Sequence, residues 1–243
     1  MNYICHSGGC PGADMTWENE GMKYGVHTIA YSFYNHVQKG RNQKILTGVE
    51  LKEGFEAVMR ANKMLKKYPQ GQSQYVQHLL ARNWFQVKNS DAVFAIAKKF
   101  LTKETVDGGT GWAVQMAVDC DKPVFVFLQD SMGGGWFRYM PIVGFESCRG
   151  EIPKLTENFA GIGTREINEW GVKAIQQVYR HNFPLKLDLV NDNGKTYLYI
   201  EGIPAFTILP NGEKDWIAPD AATMYMNNQK FVDEWLKSKF TEI

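Results

Sequence analysis

Three times along this chain an apolar segment of strand length runs into a glycine-rich turn and on into a helical pattern. Residues 2–6 lead into Ser7-Gly8-Gly9-Cys10-Pro11-Gly12-Ala13-Asp14 and a helix carrying Met15, Trp17, Glu18 and Met22. The run Ala92-Val93-Phe94-Ala95-Ile96-Ala97 leads through a polar stretch, 98–107, into Gly108-Gly109-Thr110-Gly111-Trp112 and a helix with Ala113, Met116, Ala117 and Cys120 on one face. Asn158-Phe159-Ala160-Gly161-Ile162-Gly163-Thr164-Arg165-Glu166 leads into a helix with Ile167, Gly171, Ala174, Ile175 and Val178 on one side. Glycine lets a backbone turn tightly and lets a ligand come close. The helix behind it presents unpaired amides and the positive end of its dipole, so each unit reads as a cradle for an anion. One such loop is equally a plain turn, but three in one chain argue for a shared ligand site outside the carboxyl ends of a sheet's strands.

The remaining pattern agrees with an α/β fold built on a mostly parallel sheet. Ala92–Ala97 and Pro123–Leu128 are continuous apolar runs, as strands covered on both faces require. Val26–Tyr31 reads as a further strand, and residues 32–47 as an irregular polar loop holding His36, Lys39, Arg41 and Lys44, either a lid or a solvated surface. Two helices follow, with stripes Leu51, Phe55, Val58, Met59, Asn62, Leu65 and Val76, Leu79, Leu80, Asn83, Trp84, Val87. Asn83 lies within its apolar stripe and needs a partner, ligand or backbone; Arg82, off the stripe, suits a phosphate or a carboxylate. Gly133 to Phe145 reads as a small hairpin excursion. From Pro184 the pattern changes to hairpins, with an Asn191-Asp192-Asn193-Gly194 turn, and ends in a helix carrying Met224, Phe231, Trp235 and Leu236. The expected organisation is therefore a ligand-binding domain over 1–183 and a β-rich appendage over 184–243, serving as clamp, lid or oligomer contact.

Bulk properties narrow the function classes. A net charge of +1 over 243 residues gives no general attraction to nucleic acid, and no apolar run approaches a membrane span. Cys5, Cys10, Cys120 and Cys148 are scattered without metal-ligand spacing, so neither a disulfide framework nor a metal is expected. A cytoplasmic protein without cofactor, with a small-molecule ligand and a homo-oligomeric state, is the expectation.

The motifs Ser7-Gly8-Gly9-Cys10-Pro11-Gly12-Ala13-Asp14, Gly108-Gly109-Thr110-Gly111 and Ala160-Gly161-Ile162-Gly163-Thr164-Arg165 resemble those of the SLOG superfamily of Rossmann-like nucleotide-ligand-binding domains. The resemblance covers about residues 1–183. The Gly-Ile-Gly-Thr-Arg unit comes last here and first in the usual family order, so the chain resembles the circularly permuted branch, and in particular phage-encoded members. An open, mostly parallel sheet with helices on both faces is implied, with 158–163 beside 2–6. The motifs together with the residues singled out above give the expected ligand-binding set: Ser7, Gly8, Gly9, Arg82, Asn83, Gly108, Gly109, Thr110, Gly111, Trp112, Gly161, Gly163, Thr164 and Arg165.

Family hydrolases carry a glutamate where this chain has Gln115, which cannot ionise and so cannot act as a general base. The resemblance therefore favours a protein that binds a nucleotide-derived molecule, for instance one sequestering an immune nucleotide signal on behalf of a phage. The alternative is an enzyme acting on an N-glycosidic bond, with Asp14, Glu18 or Glu166 replacing the missing acid. Asp14 and Glu18 share a helix face and could form an acid–base pair, or simply complement the dipole, as Glu166 could. Trp112 could stack on a base or pack in the core.

Overall fold

The computed structural model describes residues 3–130 and 134–240. Residue 2 of the first expected strand and Gly133 of the expected excursion lie outside the described residues. The chain divides into two compact units, Met1–Phe183 and Pro184–Ile243.

The first unit runs β1 (Ile4–Ser7), α1 (Ala13–Lys23), β2 (His27–Ser32), β3 (Gln43–Ile45), α2 (Gly48–Leu65), α3 (Gln74–Lys88), β4 (Ala92–Ala97), β5 (Phe100–Thr102), β6 (Thr105–Val106), α4 (Thr110–Val118), β7 (Val124–Leu128), β8 (Gly135–Met140), β9 (Gly144–Ser147), β10 (Asn158–Gly163) and α5 (Glu169–Asn182). Eight strands form one sheet in the order β3-β2-β1-β10-β4-β7-β8-β9. Pairing is parallel from β3 through β7 and antiparallel at β8 and β9. The expected neighbours pair in parallel, Ile4 opposite Asn158 and His6 opposite Ala160. The chain winds outward from β1 to β3 and, on the other side, from β4 to β7, so the sheet reverses at its centre, where β10 is inserted.

All six residues of β4 are buried, and they alternate between two cores. Val93, Ala95 and Ala97 pack with Ala57, Val58, Ala61 and Met116 of α2 and α4; Ala92, Phe94 and Ile96 pack with Trp17, Ile175 and Tyr179 of α1 and α5. A period of two with both faces covered is why this strand reads as an unbroken apolar run. Tyr179 packs edge-on to Trp17 at 5.6 Å and donates its hydroxyl to the Trp17 carbonyl at 2.8 Å, tying α5 to α1. α2 starts with a reciprocal cap between Thr47 and Glu50, an arrangement typically worth about 0.5–2 kcal/mol.

Three sequence expectations shift. The buried face of α2 is centred on Gly54, Ala57 and Ala61 as well as Leu51, Val58 and Leu65. A Cβ on Gly54 would stand 2.3 Å from the Ala81 carbonyl oxygen, so small residues set the close crossing with α3. On α3 the order inverts: Arg82 and Gln86 are buried, while Leu79, Leu80 and Asn83 are only half-buried. α5 starts at Glu169 behind an Asn168 cap, so Arg165 and Glu166 belong to a loop rather than to a helix start.

The second unit is a four-stranded antiparallel meander rather than two separate hairpins: β11 (Leu187–Asp192), β12 (Lys195–Ile200), β13 (Ile203–Ile208) and β14 (Lys214–Trp216), followed by α6 (Pro219–Phe240). Asn193 and Gly194 adopt φ of 49° and 73°, the left-handed pair that a two-residue hairpin turn requires. Leu198, Ile200, Ala205 and Phe206 meet Ala221, Tyr225, Val232 and Leu236 of α6 in a core of their own. Phe231, expected on the buried stripe, is 43 % exposed. The helix breaks at Asn228 (φ −129°, ψ 17°), which rotates its second half relative to its first. Among the described residues no helix is long and apolar enough to cross a membrane.

Candidate functional site

A cavity of about 710 Å³ opens at the carboxyl ends of β4 and β10, where the sheet reverses. One wall is α3, contributing Val76, Leu79, Leu80, Arg82, Asn83 and Gln86; the other is built from Lys98 and Lys99 after β4, Asp107 to Thr110 at the start of α4, Asp130 after β7 and Gly163 to Arg165 at the end of β10. Open α/β sheets bind ligands at such a switch point.

Of the three expected cradles, one is open. Gly108 (φ 77°) and Gly109 have no atom within 4 Å of where a Cβ would be, and both line the cavity. α4 begins at Thr110 with no side-chain cap. Among the described residues the amides of Gly109, Thr110 and Gly111 have no hydrogen-bond partner. These are the free donors of a helix start, reinforced by its dipole.

The other two glycine loops are closed upon each other. Gly12, with φ of 95°, lies where a Cβ would meet the Arg165 and Thr164 carbonyl oxygens at 2.3 and 2.6 Å. The Ala13 amide at the start of α1 donates to the Thr164 carbonyl at 3.0 Å, so this helix start is capped by the third loop rather than left for an anion. Asp14 fastens the same junction, accepting from the Gly163 amide at 3.2 Å and the Cys10 amide at 3.4 Å. Gly9 is covered by Gln38 and Gly40 from the 33–42 loop. Gly161 sits in mid-strand against Trp17 and Cys5, so its smallness serves core packing. Ser7, Gly8, Gly9, Gly111, Trp112 and Gly161 are therefore not in the cavity wall, whereas Arg82, Asn83, Gly108, Gly109, Thr110, Gly163, Thr164 and Arg165 are.

Of the acids expected to carry chemistry, Asp14 lines the cavity, whereas Glu18 and Glu166 do not. Glu18 is fully buried, accepting the Ser7 hydroxyl at 2.6 Å and the Arg41 amide at 2.8 Å. It pins the loop between β2 and α2 onto the first glycine turn; Phe33, Gly40 and Leu46 of that loop are buried, while Lys39, Arg41 and Lys44 are exposed to solvent. Burial pushes the Glu18 carboxyl up against the lowering effect of the Ser7 hydroxyl. Asp14 is likewise raised by burial, opposed by Arg82 and by backbone amides. Glu166 is exposed and paired with Lys98, which holds its carboxyl below the usual range. Gln115 is buried and donates to Asp119 at 2.8 Å, away from the cavity.

Trp112 is 5 % exposed and packs in the core with Ala61, Leu65 and Met116, so the stacking role is replaced by a core role. Asn83 faces the cavity and has no protein partner among the described residues. His36, stacked on Phe33, is pushed down to about 4 by burial, by Arg82 and by Arg165, and is neutral near pH 7. Lys98, Lys99, Asp107, Asp130 and Gln86 also line the cavity and were missed as site residues. Lys98 and Lys99 follow directly on the carboxyl end of β4, and that position was the available signal. Among the described residues no cluster of His, Cys, Asp and Glu suits a metal ion. No protein-family model, no curated protein and no solved structure matches this chain.

Proposed function

We propose that the cavity binds a nucleotide-derived small molecule with a phosphate at the start of α4, and that the protein holds this ligand rather than transforming it. The observation that carries the reading is the uncapped start of α4 at Gly109-Thr110, which lines a cavity at the sheet's switch point, with open space at Gly108 and Gly109. Arg165 adds positive charge, Val76, Leu79 and Leu80 add an apolar wall, and Asn83 adds an unpaired amide. A few placed polar groups on an apolar wall are what a small-molecule pocket requires. The gathering of all three glycine motifs at one end of one sheet supports kinship with the circularly permuted SLOG branch, with β10 as the family's first strand. What supports the holding role is that the candidate acids are already engaged, Asp14 and Glu18 by the framework and Glu166 by Lys98. Sequestration of a nucleotide signal, as phage counter-defence for a phage-encoded chain, is the use that fits such a holder.

Thermal unfolding with nucleoside monophosphates, cyclic nucleotides and NAD tests the reading. A ligand at a hundred times its dissociation constant stabilises the fold by about 2.7 kcal/mol. The expected result is stabilisation by at least one of these compounds, recovered unchanged by chromatography. Release of free base at a steady rate would transfer the site to the enzyme alternative, and no stabilisation by any of them would overturn the nucleotide reading.

A further inference from the structure

The α3 side of the cavity ends in a group of donors that lack acceptors. Arg82 is 6 % exposed and gives one guanidinium nitrogen to Gln86 Oε1 and another to Cys10 Sγ, while its Nε–H has no acceptor among the described residues. Gln86 is 1 % exposed; its oxygen is taken by Arg82, and its Nε2 also has no acceptor. Asp14 Oδ2 lies 3.8 Å from Arg82 Nη2, beyond hydrogen-bond reach, and both Asp14 oxygens already accept backbone amides. Buried donors without acceptors are rare in folded proteins and costly, so two adjacent ones in a cavity wall call for an acceptor that arrives from outside.

Gly8 explains how the guanidinium is held there. A Cβ at this position would stand 1.7 Å from Arg82 Nη1 and 2.2 Å from Cζ, so the guanidinium occupies the space that glycine leaves. The Ser-Gly-Gly turn thus meets an arginine rather than a phosphate.

We infer that Arg82 and Gln86 form a second anion-recognition point of the same site, seated on Gly8, and that the ligand is a nucleotide with two acidic groups. One group lies at the start of α4 and the other, phosphoryl or carboxylate, on Arg82 and Gln86. Arg82 supplies charge, and Gln86 supplies a fixed donor whose orientation is set by its bond to Arg82. This rests on the nucleotide reading of the cavity and narrows the ligand class.

Calorimetric titration with AMP and GMP, the adenosine and guanosine 3′,5′-bisphosphates and adenylosuccinate tests it; the bisphosphates offer a second phosphoryl group, and adenylosuccinate offers carboxylates, two of them, beside its phosphate. In the wild-type chain at least one compound with acidic groups beyond the 5′-phosphate is expected to bind about tenfold to a hundredfold tighter than its monophosphate, the usual scale of a charge-assisted contact. Arg82→Met and Gln86→Leu are expected to cut that advantage to within about threefold. If Arg82→Met fails to fold, Gly8→Ala decides, because its Cβ drives the guanidinium off its seat and must also shrink the advantage. Equal wild-type affinity for the monophosphates and the compounds with further acidic groups, or an advantage that survives in the folded variants, overturns this inference and leaves the nucleotide reading standing. No wild-type binding of any of them overturns this inference, and the nucleotide reading falls with it if cyclic nucleotides and NAD also fail to bind.

Discussion

Replacing Trp112 by alanine separates a core role from a ligand role. The indole is 5 % exposed and belongs to the cluster that joins α2 and α4 to the sheet, with the Lys67 ammonium 5.9 Å from its ring centroid. Truncating a buried tryptophan removes its transfer free energy and leaves a cavity, together about 3–5 kcal/mol. For a unit of this length each kcal/mol moves the melting temperature by about 2–4 °C, so the expected drop is about 6–20 °C. Urea and thermal unfolding followed by circular dichroism measure the loss, and calorimetry with AMP and inorganic phosphate measures the site. The expected pattern is a large loss of stability with no selective loss of nucleotide over phosphate. A loss below about 1 kcal/mol, together with selectively weakened AMP binding, would refute the core assignment and return the ring to the ligand.

Glu18→Gln leaves the Arg41 amide or the Ser7 hydroxyl without its buried acceptor, an expected cost of about 1–3 kcal/mol, and should lower hydrogen-exchange protection at Arg41; unchanged protection would show that Glu18 does not pin this loop. Burial raises the Glu18 carboxyl, so its contribution is fully present below the unfolded value near 4.5 and is lost as pH rises through the folded value. The stability difference between wild type and Glu18→Gln should therefore shrink from pH 4 to pH 7 in urea titrations, and a widening difference would contradict the burial argument. Gly12→Ala, strained at φ 95° and blocked by the Arg165 carbonyl, should destabilise strongly, whereas Gly109→Ala, in open space at the start of a helix, should cost only a few tenths of a kcal/mol; equal melting temperatures would contradict the packing described. Residues 1–183 expressed alone should unfold cooperatively, and loss of that transition would show that 184–243 completes the first core.

Much of the architecture was legible because it rests on local signals. The unbroken apolar run at 92–97 announces a strand covered on both faces, the three strand-to-glycine transitions announce the switch point, and Asn193-Gly194 announces a hairpin. The site was legible only in part, because glycine has several uses that a sequence does not separate. Gly109 faces open space, Gly12 clears a neighbouring backbone, Gly161 clears Trp17 and Gly8 makes room for Arg82. Which of these applies depends on what long-range folding brings opposite each one. The same holds for α3, where Leu79 and Leu80 look like core by period but wall a cavity, while Arg82 and Gln86, off the apolar stripe, are buried. Glu18 next to Asp14 suggested an acid–base pair, and only the approach of Ser7 and Arg41 turns it into a structural anchor.

The claim at the centre of this account is that a ligand's phosphate meets the free amides at the start of α4. Nitrogen-15 amide spectra of the wild-type chain, recorded during titration with AMP and GMP, test it directly. Saturable shifts should be largest at Gly109, Thr110 and Gly111 and smaller at Gly8, Gly9 and Gly161, which are packed against protein. Saturable shifts centred on residues outside the cavity, or no shifts with either nucleotide, would contradict the account.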